Sequence, residues 1–174
     1  MITKENNLKV MRVFFENPSK EFHLRQLSRI TGISLGGILK IIPRLKKEKL
    51  LLSRKERNTE LVSPNFEGRF TIFKRLYNVQ SLYDTGLIAT LQKWYEQPKT
   101  IILFGSYSRG IDTEKSDIDI AVFTNSKPHP DLSIFERKLS RKINIHVIND
   151  REKNNSFKNS LANGIVLEGV MELI

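Results

Sequence analysis

Residues 101–123, IILFGSYSRGIDTEKSDIDIAVF, constrain this chain more than any other stretch. Ile101-Ile102-Leu103-Phe104 has the length and composition of a buried strand. Gly105 and Ser106 follow directly, and ten residues later Asp117 and Asp119 open a second apolar run that ends at Phe123. Side chains two apart on a strand share a face, roughly 6.5–7 Å from each other along the chain. Two carboxylates placed that way repel and cost desolvation unless a positive charge sits between them. A divalent cation such as Mg²⁺ meets both demands, because it takes oxygen ligands and shares them with phosphates. Gly105 permits close backbone approach. Ser106 can begin a helix whose free N–H groups face an anion. The pattern predicts a metal-binding carboxylate pair beside a phosphate cradle.

The order G-S, ten residues, D-x-D resembles the nucleotidyltransferase superfamily related to DNA polymerase beta, and most resembles its small stand-alone prokaryotic members. Gly105, Ser106, Asp117 and Asp119 match without a gap, and Arg109-Gly110 and Ser116 match residues often seen within the pattern. The resemblance covers about residues 87–170. It implies a small mixed β-sheet flanked by helices in the C-terminal part, Mg²⁺ as cofactor and a nucleoside triphosphate, ATP foremost, as substrate. It also implies that Asp117 and Asp119 hold metal and that Gly105, Ser106 and Arg109 hold phosphates. A third carboxylate is expected on a later strand, here Ile143 to Ile148, and the aligned position is Asn144. Asn can ligate through its carbonyl but takes no proton at neutral pH. His146, its same-face neighbour, could serve as a base but ligates Mg²⁺ poorly, and it reads equally as an ordinary strand residue. Asp150 lies further along the same parity. The departure favours metal and nucleotide binding over fast turnover.

The charge is uneven. Residues 1–69 carry fifteen Lys/Arg against seven Asp/Glu, whereas residues 70–174 carry fourteen against twelve. Most of the net +10 therefore belongs to the first part of the chain. That balance attracts polyanions, nucleic acid first, although a merely solvated charged surface gives the same count. With no cysteine, disulfides, cysteine zinc sites and thiol nucleophiles are excluded. No apolar run has the ~18–20 residues of a membrane span. The polar start, MITKENNLKV, lacks a signal-peptide core. A cytoplasmic protein is expected.

Three helical periodicities occupy the first fifty residues. Asn6 to Glu16 presents Leu8, Val10, Met11, Phe14 and Phe15, with Thr3 as cap and Asn17-Pro18 as stop. Leu24 to Ile30 is short and ends at Thr31-Gly32. Ser34 caps a third helix to about Lys49, with Ile38, Leu39, Ile42 and Leu45 expected to face a core and Pro43 expected to kink or shorten it. Leu50–Leu52 and Leu61–Ser63 read as strands around a polar basic hairpin, residues 53–60. This order resembles a winged helix-turn-helix domain over about residues 4–64. The resemblance implies a third helix in the major groove of double-stranded DNA, with Ser34, Gly36 and Lys40 at base edges. Arg44, Lys46, Lys47, Arg54, Lys55 and Arg57 would then lie on phosphates. Protein contact or dimerisation is the alternative use of such a domain. Half-site pairing makes a homodimer the expected state.

The expected organisation is α+β: a DNA-binding domain at 1–65, a helical connector at 66–98 and a nucleotidyltransferase-like domain at 99–174. Two functions follow. One is transfer of a nucleoside monophosphate to an acceptor, which in relatives of this kind can be a HEPN-type toxin, with the chain as antitoxin. The other is a DNA-binding transcriptional regulator whose second domain binds nucleotide or a partner with little or no catalysis.

Overall fold

In the computed structural model, the description covers residues 5–126, 128, 130–148 and 155–171. Thr3 and Asp150 lie outside it. The chain divides into two units, residues 1–74 and 75–174, with the division falling inside one helix.

The first unit opens with α1, Glu5–Glu16, whose Val10, Met11, Val13, Phe14 and Phe15 are buried. Leu8, expected inward, is exposed. Asn17 ends the helix by donating its side-chain amide to the Val13 carbonyl at 3.0 Å. A two-residue strand, β1 (Phe22–His23), leads into α2 (Leu24–Thr31). The Gln26 side chain accepts the His23 backbone N–H at 2.8 Å and caps that start. Gly32 then leaves α2 at φ 70°, in the left-handed region where glycine carries no steric cost. Ser34 caps α3, Leu35–Lys47, by accepting the Gly37 N–H.

Pro43 sits inside α3, and the helix ends at Lys47, four residues beyond it and short of the expected Lys49. Proline costs one N–H bond, and burial of Ile38, Ile41, Ile42 and Leu45 on one face holds the helix together. The polar stretch 53–60 forms the hairpin. Strands β2 (Leu51–Glu56) and β3 (Thr59–Pro64) extend into it and pair residue for residue down to Glu56 and Thr59. A solvent-facing hairpin needs no apolar alternation when its polar side chains pair with neighbours, as Arg54 does with Glu21 and Lys46 with Glu60. Strand order is β1-β3-β2, all antiparallel. The strand β1 carried no usable sequence signal, being two residues long.

Helix α4, Phe70–Asp84, contains the division between the units. Leu82, read as part of the following helix, belongs to α4. Beyond the Gly86 turn, α5 (Leu87–Trp94) buries Leu87, Ile88 and Leu91 in one cluster with Ile101, Leu103, Ile118, Ile120 and Val122. The second sheet has order β6-β5-β4-β7, from β4 (Thr100–Phe104), β5 (Ile118–Phe123), β6 (Ile143–Ile148) and β7 (Ile165–Gly169). β4 pairs antiparallel with β5 and β7, while β5 pairs parallel with β6. Every residue of β4 is buried, because both faces are covered. α5 and Phe135 of α7 (Ser133–Leu139) pack on one face. Leu161 and Phe157 of α8 (Asn155–Ala162) pack on the other, against Ile102, Phe104, Ala121 and Ile148. The second unit is thus a mixed sheet with helices on both faces, and the whole chain is α+β. No described helix is long and apolar enough to cross a membrane.

Two polar devices fix the loops around this sheet. Asp112, fully buried, accepts from the Asn78 amide at 2.8 Å and lies 3.9 Å from the Arg141 guanidinium. The same Asn78 amide donates to the Tyr107 carbonyl at 2.9 Å. Glu136 accepts the Ile143 N–H at 3.1 Å and pairs with Lys142 at 3.3 Å. The backbone N–H is the larger reason its carboxyl is held below the ordinary value. Composition gave no hint of the first, because it joins residues far apart in the chain. Removing Asp112 takes from the Arg141 guanidinium its buried carboxylate neighbour and from the Asn78 amide one of its two acceptors. Asp112→Ala is expected to destabilise the second unit by on the order of 3 kcal/mol, read as a lower urea midpoint at unchanged slope.

Candidate active site

The register of the second sheet assembles the site. Phe104 pairs with Asp119 across β4 and β5, and Asp119 pairs with Asn144 across β5 and β6. Residues directly opposite share a face, so Phe104, Asp119 and Asn144 form one row. The next row, Ile102, Ala121 and His146, lies beneath α8. Asp119 is therefore a carboxylate at the end of an otherwise apolar face, half-buried where its strand neighbours are buried.

Asp117 precedes β5 and is exposed. Its position comes from a tight turn in which the Ser116 hydroxyl accepts the Thr113 N–H at 2.9 Å and the Thr113 carbonyl accepts the Ser116 N–H. Asn144 ties the two acids together. Its amide nitrogen donates to Asp117 Oδ2 at 3.2 Å and to Asp119 Oδ1 at 3.1 Å. Carboxylates only accept, so the nitrogen, not the oxygen, must face them. Both acids thus converge on one point about 3 Å from each. The N–H₂ group lies between the two carboxylates and offsets part of their repulsion.

Gly105 has a φ of 75°, and a Cβ there would lie 2.7 Å from Asp119 Oδ2. Glycine is required twice, by conformation and by space. The sequence pointed to a close backbone approach at this residue, and the group it accommodates is the Asp119 carboxylate. Gly105–Arg109 form a single short helix, α6, closed by Gly110 at φ 70°. The Ser108 hydroxyl donates to the Gly105 carbonyl at 2.9 Å, and Arg109 Nε donates to the same oxygen at 3.3 Å. Ser106 is half-buried, and its hydroxyl makes no hydrogen bond among the described residues. Beside α6 lies a cleft of about 330 Å³ lined by Gly105, Ser108, Arg109, Asn159, Ser160 and Asn163.

His146 Nε2 lies 3.7 Å from Asp119 Oδ1, beyond hydrogen-bond distance. Its ring sits 5.1 Å from that of Phe104 and 5.7 Å from that of Phe157. Among the described residues no group of three or more His, Cys, Asp or Glu is arranged to hold a metal. The donor set is instead two carboxylates and one amide. It fits a single hard divalent cation: two acids balance its charge, and rotation of the Asn144 amide would bring a third oxygen to the same point.

The residues predicted to lie on DNA are all in the first unit. Lys40, Arg44, Lys47, Lys55 and Arg57 are exposed and form no salt bridge among the described residues. Two others are engaged. Lys46 pairs with Glu60 at 3.2 Å and with the Ser53 hydroxyl. Arg54 makes a two-pronged pair with Glu21, at 2.6 and 3.2 Å, and approaches Glu56. Glu21 holds the guanidinium firmly charged, and its own carboxyl is lowered in return. Ser34 is occupied as a helix cap, while Gly36 is open on all sides.

No curated protein matches the chain. Residues 87–169, just under half of it, match the family model described as polymerase beta, nucleotidyltransferase. That segment runs from the start of α5 to the end of β7, and it contains the Gly105–Ser106 turn, both acids and Asn144.

Proposed function

We propose that the second unit transfers a nucleoside monophosphate from a nucleoside triphosphate, ATP the first to test, to a hydroxyl-bearing acceptor. We propose further that residues 5–64 are a winged helix-turn-helix that binds double-stranded DNA. The observation that carries the first reading is the convergence of Asp117 and Asp119 beside Gly105 and Ser106, within a segment matching a nucleotidyltransferase family. Mg²⁺, when bound, would neutralise charge on the triphosphate and on the carboxylate pair. Asp117 and Asp119 would hold it. Gly105 keeps backbone bulk away from Asp119, the Ser106 hydroxyl is uncommitted, and Arg109 can leave the Gly105 carbonyl for a phosphate. The acceptor oxygen would bond to the α-phosphorus as the pyrophosphate oxygen departs, and the hydroxyl proton would pass to solvent water. Asn144 cannot accept it. A protein hydroxyl on a HEPN-type toxin is the acceptor the resemblance offers, with the chain as antitoxin.

A second reading is favoured by that same residue. A site whose carboxylates are bridged by an amide, with no third acid among the described residues, suits a regulator that binds nucleotide with little turnover. Radiolabelled ATP with Mg²⁺ and cell lysate separates the two. Transfer to an acceptor, abolished by Asp117→Ala or Asp119→Ala, supports the enzyme. Nucleotide binding without transfer supports the regulator. In either case Asn144→Asp supplies the missing proton acceptor and should raise transfer roughly 10²-fold or more. No gain would show that deprotonation is not what Asn144 limits.

For the first unit, the element order and the β1-β3-β2 sheet support the winged-helix reading. A homodimer would set two such helices on paired half-sites. Affinity for duplex DNA should fall steeply with salt. Replacing Lys47 or Lys55 should weaken binding and lower the salt slope by about 1 each. Replacing Lys46 or Arg54, already paired within the chain, should change both less. Equal losses at all four positions would contradict the assignment.

A further inference from the structure

The outward face of α3 is made of two adjacent rows. Leu35, Leu39 and Pro43 recur at every fourth position and form an apolar row. Gly36, Lys40, Arg44 and Lys47 form a basic row beside it. Leu35 is 38% exposed and Leu39 53% exposed, although Ile38, Ile41, Ile42 and Leu45 of the same helix are buried. Ile30, at the end of α2, is 57% exposed. Residues 24–47 contain six Lys/Arg and no Asp or Glu. Among the described residues, and apart from its own helix backbone and chain neighbours, nothing lies within 4 Å of where a Gly36 Cβ would stand. A glycine in a helix is disfavoured relative to alanine, and the packing of this unit gives no reason for it. Space is left at that point for something outside the chain.

An apolar partner protein would suit the leucines but not a border of cations without one acid. A polyanion that also presents methyl groups suits both. The major groove of DNA does so at thymine, whose C5-methyl stands beside the phosphate rows. The exposed first two turns of α3 offer Lys40 as a single strong donor to base edges, and no Asn, Gln, Arg or Glu. Side chains of that kind cannot make the two-point hydrogen bonds that read adenine or pair with cytosine.

We infer that Leu35 and Leu39 are the specificity-determining residues of the first unit, reading thymine methyl groups, so that its preferred DNA site contains thymines at the two positions they face. The inference rests on the DNA-binding reading above. The full chain is used to select duplexes from a random pool, and the selected thymines are then replaced singly by deoxyuridine, which removes only the methyl. Fluorescence anisotropy should show about a fourfold loss of affinity per contacted methyl. Leu39→Ala should bind the thymine duplex as weakly as the wild type binds the matching deoxyuridine duplex, and should no longer distinguish them. Salt-dependent binding with equal affinity for thymine and deoxyuridine duplexes overturns this inference and leaves DNA binding standing. Absence of binding at any salt overturns both and gives the leucine face to a protein.

Discussion

The pairing of Phe104 with Asp119 is the contact on which the candidate site depends. β4 is buried from end to end, so its apolar side chains fix which way each residue of β5 points. In that register Ile118, Ile120 and Val122 enter one core. Asp119 and Ala121 take the other face, where α8 covers Ala121. A slip of one residue would drive Asp119 into the face packed by α5 and α7 and expel three aliphatic side chains. The position of a carboxylate is thus secured by hydrophobic residues that take no part in chemistry. Gly105 completes the arrangement, because no side chain can stand between β4 and the Asp119 oxygens.

Electrostatics then decides what the site can do. Two carboxylates aimed at one point are tolerable when something positive or hydrogen-donating stands there. The Asn144 amide fills that role in this structure. An acid at the same position would deepen the repulsion, making the cation more necessary and supplying a base. Asparagine instead donates to both acids. Asn144 sits on β6, whose start is held by the bond from the Ile143 N–H to Glu136.

Much of this was legible in the sequence because it is local. The strands β5 and β6 begin and end where the apolar runs do, at 118–123 and 143–148. The G-S turn and the carboxylates lie within fifteen residues of each other. Asn144 was found by alignment of one strand, but its bridging of both acids depends on parallel pairing between strands twenty-five residues apart. The Asn78–Asp112–Arg141 network was invisible for the same reason. Asp112 reads as a loop residue until the fold buries it. On the basic side, counting charges located the excess in the first part of the chain yet could not distinguish Arg54, bound to Glu21, from Lys55 beside it.

The central claim is that Asp117 and Asp119 form one cation site that Asn144 bridges. Titration of the nucleotide-free protein with Mn²⁺, followed by electron paramagnetic resonance, tests it most directly. The account predicts one bound ion per chain, displaced by Mg²⁺ and lost in Asp119→Asn and in Asp117→Asn. Binding that survives both substitutions, or an ion held only when neither acid is needed, would contradict it.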